Sequence, residues 1–258
     1  MPALTPPPAS GQAEAPTPDD PAAKQLLDKA AAAMATLTSV REETTAQSRD
    51  MTNNKPMLTY QITMEYAAPD KSRYAADITG TDGKKTRVEF IDIGKDQYTH
   101  NPGETQFQRF PAQQAFAWPA ELYAFKGAKG ITDQGSDTVN GRKAHVILFT
   151  WTGAARPGAM PLPYRVRLWV DDETSTFLKR EMVGQQVVRP GDKDLTVLYG
   201  ETTIYSDFNT PITIEPPKDL KQTPTPMPTS GPAPTPAKAP EQQGGTPAPQ
   251  STPGQAYP

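Results

Sequence analysis

The chain has 258 residues, a formal net charge of −3, thirty prolines and no cysteine. No block of basic residues interleaves with aromatics, which argues against nucleic-acid binding, and without cysteine there is neither a disulfide nor a thiolate-held metal or iron–sulfur centre. No apolar run approaches the roughly 18 residues of a membrane-spanning helix.

Seven of the prolines fall within residues 1–21, thirteen within 216–258 and ten between. Both ends are also rich in Ala, Thr, Gln, Ser and Gly and poor in large apolar residues. Such segments bury too little surface to offset the entropy of ordering them. The expected organisation is a disordered tether over 1–20, one folded domain over 21–217 and a disordered Pro-rich tail over 218–258. The first twenty residues have neither a charged n-region nor an apolar h-region, so they do not read as a signal peptide.

Asp20-Pro21 predicts a helix start, with Asp as N-cap and Pro at the first helical position. Leu26, Ala30, Met34 and Leu37 recur at helical spacing over about 21–38 and mark a narrow, alanine-lined face. From Ser39 the period changes to two. SVREETTAQSR is a polar strand; MLTYQITMEY places Leu58, Tyr60, Ile62, Met64 and Tyr66 on one face. KSRYAADITG repeats the pattern with Tyr74, Ala76 and Ile78, and Thr81-Asp82-Gly83 turns the chain. In KTRVEFIDIG, Val88 and Phe90 are followed out of phase by Ile91 and Ile93, which predicts a bulge or bend. Two shorter strands flank Asn101-Pro102-Gly103.

The run AQQAFAWPAELYAF breaks this rhythm. Ala115, Trp118, Leu122 and Phe125 share a helical stripe with Phe116 beside it, and Pro119 splits or kinks the segment. Strands then resume. AHVILFTW, apolar on both faces, predicts a strand covered on both sides. YRVRLWVD and TFLKREMVGQQVV follow, and LTVLYGETTIYSDFNTPITIEPP closes the domain with two alternating runs and a last short strand at Ile212 and Ile214.

Little in this pattern is suited to catalysis. His100 and His145 lie on different predicted strands, with no HExxH motif and no GxSxG elbow. Acidic pairs at Glu42-Glu43, Asp171-Asp172 and Asp192/Asp194 fall in turns or on strand faces that read as solvated. No catalytic residue, metal site or cofactor is expected. A long curved antiparallel sheet with short helices against its concave side leaves two options: side chains fill the concavity, or they leave room for an apolar ligand.

The order of elements and three motifs carry a resemblance. These are Y-S-D-F-N-x-P-I-x-I-x-x-P at Tyr205–Pro217, V-N-G-R-K-A at Val139–Ala144, and W-V-D-D-E-T at Trp169–Thr174 followed by F-L-K-R-E at Phe177–Glu181. Over residues 22–217 the chain resembles the LolA-like superfamily, nearest the LppX/LprG-type envelope lipoproteins. The resemblance implies a curved half-barrel of about eleven antiparallel strands closed by short helices, with acyl chains held in an apolar cavity. Leu58, Tyr60, Ile62, Met64, Tyr66, Tyr74, Ile78, Val88 and Phe90 would line that cavity. Phe116, Trp118, Leu122 and Phe125 would form its lid. The start of the chain resembles the spacer behind the lipid-bearing cysteine of a bacterial lipoprotein, which implies a membrane-anchored, extracytoplasmic protein with a lipid or lipidated partner. The alternative is a sensor or scaffold module of the same fold that acts on an envelope protein partner. The lid-holding arginine of LolA has no identifiable counterpart among Arg41, Arg49, Arg73 and Arg87, so lipoprotein transfer in the strict sense is not implied.

Overall fold

The helix start expected from Asp20-Pro21 opens the structure, a computed structural model that describes residues 18–111, 123–153, 162–188 and 195–221. The Asp20 side chain accepts hydrogen bonds from the backbone N–H groups of Ala22 and Ala23, at 2.9 and 3.4 Å, and Pro21 is the first residue of α1 (Pro21–Ala35). The buried face of α1 is Ala23, Leu27, Ala30 and Met34. Leu27 thus takes the inward position assigned above to Leu26, which is only partly buried. Two hydrogen bonds, one backbone and one to a side chain, hold the helix start to the sheet: Asp20 N–H donates to the Ile131 carbonyl at 2.7 Å, and Ile131 N–H donates to Asp19 Oδ1 at 3.0 Å.

Eleven antiparallel strands follow: β1 (Ser39–Asp50), β2 (Pro56–Ala67), β3 (Lys71–Thr79), β4 (Lys85–Ile93), β5 (Asp96–His100), β6 (Gln108–Pro111), β7 (Lys129–Val139), β8 (Arg142–Gly153), β9 (Leu162–Asp171), β10 (Phe177–Val188) and β11 (Leu195–Ser206). They form a single sheet in the order β6-β5-β4-β3-β2-β1-β11-β10-β9-β8-β7. The first and last strands in sequence are therefore neighbours at its centre, and the sheet is open at β6 and β7. The open, mainly antiparallel sheet of eleven strands with a helix against it is the architecture expected from the sequence. Turn chemistry explains the hairpins: Asn140 and Gly141 between β7 and β8 both have positive φ, 50° and 81°, as a tight two-residue turn requires. The strand covered on both faces is β8, next to the β7 edge rather than at the centre.

The main core lies between α1 and β7–β10. Ile147, Phe149, Trp151, Val166, Leu168, Phe177 and Met182 are buried there against Leu27 and Met34. Phe125 enters this core, with its ring centroid 5.0 Å from Phe149 and 5.1 Å from Trp151. A smaller cluster on the convex side joins Val139, Ala144, Val146, Trp169 and Leu178. Also on the convex face, ion pairs link Asp207, just past β11, with Arg41, Glu65, Arg73, Glu89, Arg87 and Asp77 across the four strands β1–β4. These arginines are exposed by a third or more, so each pair contributes little.

Two expectations are corrected. The β3–β4 register runs without interruption, so β4 carries no bulge. Its out-of-phase residues serve two faces at once: Phe90 is concave, while Ile91 is buried on the convex side with Tyr98 and Ile214, and Ile93 packs against them. Nor do Ile212 and Ile214 form a strand. Residues 211–221 instead cross the sheet as an extended strap. It ends in an isolated parallel bridge between Leu220 and Phe107, where Phe107 N–H donates to the Asp219 carbonyl and Lys221 N–H to the Phe107 carbonyl, each at 2.8 Å. All described residues belong to one compact unit that ends at Lys221. The expected tails fall outside the described residues except for 18–20 and 218–221.

Candidate functional site

Side chains of directly paired residues share a face, so the strand registers read out the concave surface as rows. One row runs Tyr205, Glu42, Met64, Tyr74, Phe90, Thr99. The next runs Arg180, Thr203, Thr44, Ile62, Ala76, Val88. A third runs Met182, Glu201, Ala46, Tyr60, Ile78, Thr86. The concave face thus has three zones: a dry core over β7–β10, a polar centre on β10, β11 and β1, and an apolar sector on β2–β4.

The apolar sector contains the residues singled out from sequence. Leu58, Tyr60, Ile62 and Met64 alternate along β2, Tyr74 and Ile78 stand opposite on β3, and Val88 and Phe90 continue on β4. All eight are half-buried. Tyr66, the ninth, is buried in the main core beside Val40. Tyr74 and Phe90 are in ring contact at 5.8 Å. The structure therefore brings eight of the nine together as one surface and assigns Tyr66 to packing. Of the lid residues, Phe125 is buried among Phe149, Trp151 and Phe177. Phe116, Trp118 and Leu122 lie outside the described residues.

Sequence reasoning missed the polar centre. Arg180 pairs with Glu201 at 2.9 Å, and their side chains are only 7% and 5% exposed. Tyr199 Oη–H donates to the other Glu201 oxygen at 2.7 Å, and Arg180 also approaches Thr203 Oγ1 at 3.5 Å. Beside them the Tyr123 hydroxyl donates to Glu42. The Tyr205 ring lies under the Arg180 guanidinium, 6.0 Å from its centroid, a cation–π contact in a desolvated setting. Burial pushes the Glu42 carboxyl above its ordinary value, against the opposing pull of Arg180 and the Tyr123 hydrogen bond. Burial likewise raises Tyr205, so the phenol keeps its proton.

Arg180 was legible as a member of the Phe177–Glu181 motif but not as a buried residue. A register shift between Phe177 and Lys179 sets the phase of β10, turning Lys179 and Glu181 outward and Arg180 inward with Met182. One sequence signal was available: Arg180 and Met182 share parity, as do Glu201, Thr203 and Tyr205.

Among the described residues the two histidines stand apart from each other. The His100 ring packs at a tilt against Phe107, their centroids 5.2 Å apart. His145 lies 3.8 Å from both Asp133 and Asp172 and is 42% exposed. Among the described residues no group of three His, Asp or Glu is placed to hold a metal. The surface can bury apolar groups and can offer hydrogen bonds at one defined place.

No family model matches the sequence, and no curated protein matches it. Solved structures do match by fold. LprF from Mycobacterium bovis superposes with a TM-score of 0.52 at 16% identity, over 78% of this chain and 99% of LprF. The chain shares the fold of LprF. The lipoprotein LppX of Mycobacterium tuberculosis matches with a TM-score of 0.45 at 15% identity, covering 76% of this chain and all of LppX. A LolA-superfamily protein from Nitrosomonas europaea gives 0.27 at 14% identity, over 78% of this chain and 94% of its own.

Proposed function

We propose that this protein binds the acyl chains of a lipid on the concave surface of β2–β4, as a non-enzymatic, extracytoplasmic carrier or tethered binding protein. One observation carries the reading: eight apolar and aromatic side chains on three adjacent strands form a continuous half-buried surface beside a core that is otherwise closed. A packed core would have buried them as fully as Ile147 or Leu168. Met64 and the tyrosines Tyr60 and Tyr74 suit a surface that must adapt to flexible chains. Burying eight methylenes there contributes about 6 kcal/mol, enough for reversible capture but not for permanent retention. An N-terminal lipid anchor and an envelope location fit this role, as they would place the surface within reach of a bilayer.

Native mass spectrometry of gently purified protein, with uptake of a fluorescent fatty acid, tests the reading. Ile62→Asp puts a charge in the middle row of the surface and should weaken uptake at least tenfold. Because Ile62 is only half-buried, the fold should survive, as circular dichroism would verify. If no lipid co-purifies and none is taken up, or if Ile62→Asp binds as well as the parent, the proposal fails.

A further inference from the structure

The polar centre of the concave face holds more hydrogen-bonding capacity than it uses. Both carboxylates are engaged, Glu201 by Arg180 and Tyr199, and Glu42 by Tyr123. Two donors are not: Arg180 Nε–H and the Tyr205 hydroxyl have no hydrogen-bond partner among the described residues. Their side chains are more than nine-tenths buried. Buried donors are rarely left unpaired, and each such case calls for an explanation. Arg41, Arg49 and Arg73 also carry an Nε without a hydrogen bond, but the strand registers put those three on the convex face, where Arg41 and Arg73 Nε face carboxylates in ion pairs. The two concave orphans share one cluster, where the Tyr205 ring underlies the Arg180 guanidinium.

Charge indicates what they would accept. The Arg180 guanidinium is already paired with the Glu201 carboxylate at 2.9 Å, so the cluster carries no excess positive charge. A ligand anion would find no uncompensated positive charge and would meet Glu201. A neutral acceptor meets two free donors. Position indicates what the acceptor belongs to. Tyr205 is followed across the sheet by Glu42 and then Met64, and Arg180 by Thr203, Thr44 and then Ile62. At the usual strand spacing, the backbones that carry Tyr205 and Arg180 lie about 10 and 14 Å from that of β2. Thr44 and Ala46, with short side chains, floor the interval.

We propose that Arg180 and Tyr205 form a two-donor subsite for the carbonyl oxygen of an acyl ester, whose hydrocarbon chain then lies across β1 onto β2–β4. The preferred ligand is a neutral ester-linked lipid rather than a free fatty acid. This inference rests on the lipid-binding reading and adds the linkage chemistry to it.

The test uses the full chain and three pyrene-labelled probes of matched chain length: a diacylglycerol, its dialkyl-ether counterpart and a free fatty acid. One neutral and one charge-assisted hydrogen bond predict that the ester binds at least about tenfold more tightly than the ether. Tyr205→Phe removes one donor and keeps the ring. It should lower ester affinity about fivefold, leave ether affinity unchanged and not lower the melting temperature, since the lost hydroxyl has no protein partner. Equal ester and ether binding by the parent overturns the subsite alone, as does an equal loss for both probes in Tyr205→Phe. Tighter binding of the fatty acid than of the ester overturns it in favour of an anion site. Failure of all three probes to bind overturns the lipid-binding reading and the subsite with it.

Discussion

Arg180→Met is the sharpest probe of how the concave face is held together. Arg180 is paired at 2.9 Å with Glu201, and both side chains are almost wholly removed from solvent. Methionine fills much of the same volume but carries no charge, so among the described residues Glu201 keeps its hydrogen bond from Tyr199 without a cation. An uncompensated buried carboxylate costs about 3–5 kcal/mol, a large share of the roughly 5–15 kcal/mol that separates a folded domain from its unfolded chain. The double variant Arg180→Met/Glu201→Gln removes both charges, and it should recover most of the loss, because replacing a buried pair is far less costly than breaking one. Guanidinium unfolding of the parent, both single variants and the double variant closes the cycle. A loss under about 1 kcal/mol in Arg180→Met, or a double variant as unstable as the two singles added together, would refute the assignment of this pair as a buried, mutually dependent unit.

Glu42→Gln should change how stability depends on pH. Burial raises the Glu42 carboxyl in the folded state above its ordinary value of 4.5, so the folded protein holds that proton more tightly than the unfolded chain does. The associated stability is fully present below the unfolded value and is lost as pH rises through the folded one. Glutamine has no such proton, so the stability of Glu42→Gln relative to the parent should climb as pH rises from about 4.5; a difference that stays flat or falls counts against a buried, proton-holding Glu42. Asn209→Ala tests the closing turn. Asn209 sits at φ 54°, a conformation asparagine tolerates better than most residues, and its Oδ1 accepts hydrogen bonds from Thr38 N–H and Oγ1–H at 2.8 and 3.0 Å. Thermal unfolding should show a loss of about 1–3 kcal/mol, and an unchanged midpoint would mean this junction contributes nothing.

Alternation and turn residues made most of the fold legible. The Asp20-Pro21 start, the Asn140-Gly141 hairpin and the unbroken period of two in β2 and β3 are local signals, and each has its counterpart in the structure. The errors arose where a distant segment decides the outcome. Ile91 and Ile93 looked like a phase break because nothing near them announces that the strap at 211–221 covers the convex side of β4. The apolar sector could be read because its residues are apolar and in phase. The polar centre could not, for a symmetrical reason: Glu42 and Arg180 stand in charged runs that suit solvent, and Glu201 sits in a polar Gly-Glu-Thr-Thr stretch. They become an inward-facing set only when β1, β10 and β11 lie side by side.

That central adjacency has a consequence for when the molecule can fold. β1 and β11 are the first and last strands of the chain, and the link that seals their junction, from Thr38 to Asn209, spans 171 positions. Every other strand pair joins elements that follow one another directly or across a single connection. Two meanders, β1–β6 and β7–β11, can therefore form as local units, while the seam between them must wait for the last strand to be made. Contacts between such distant positions are slow to form, and until they do, both central strands present unpaired edges. Emergence of the chain past Ser206 thus sets the earliest moment of completion, and a nascent chain stays in two halves until then.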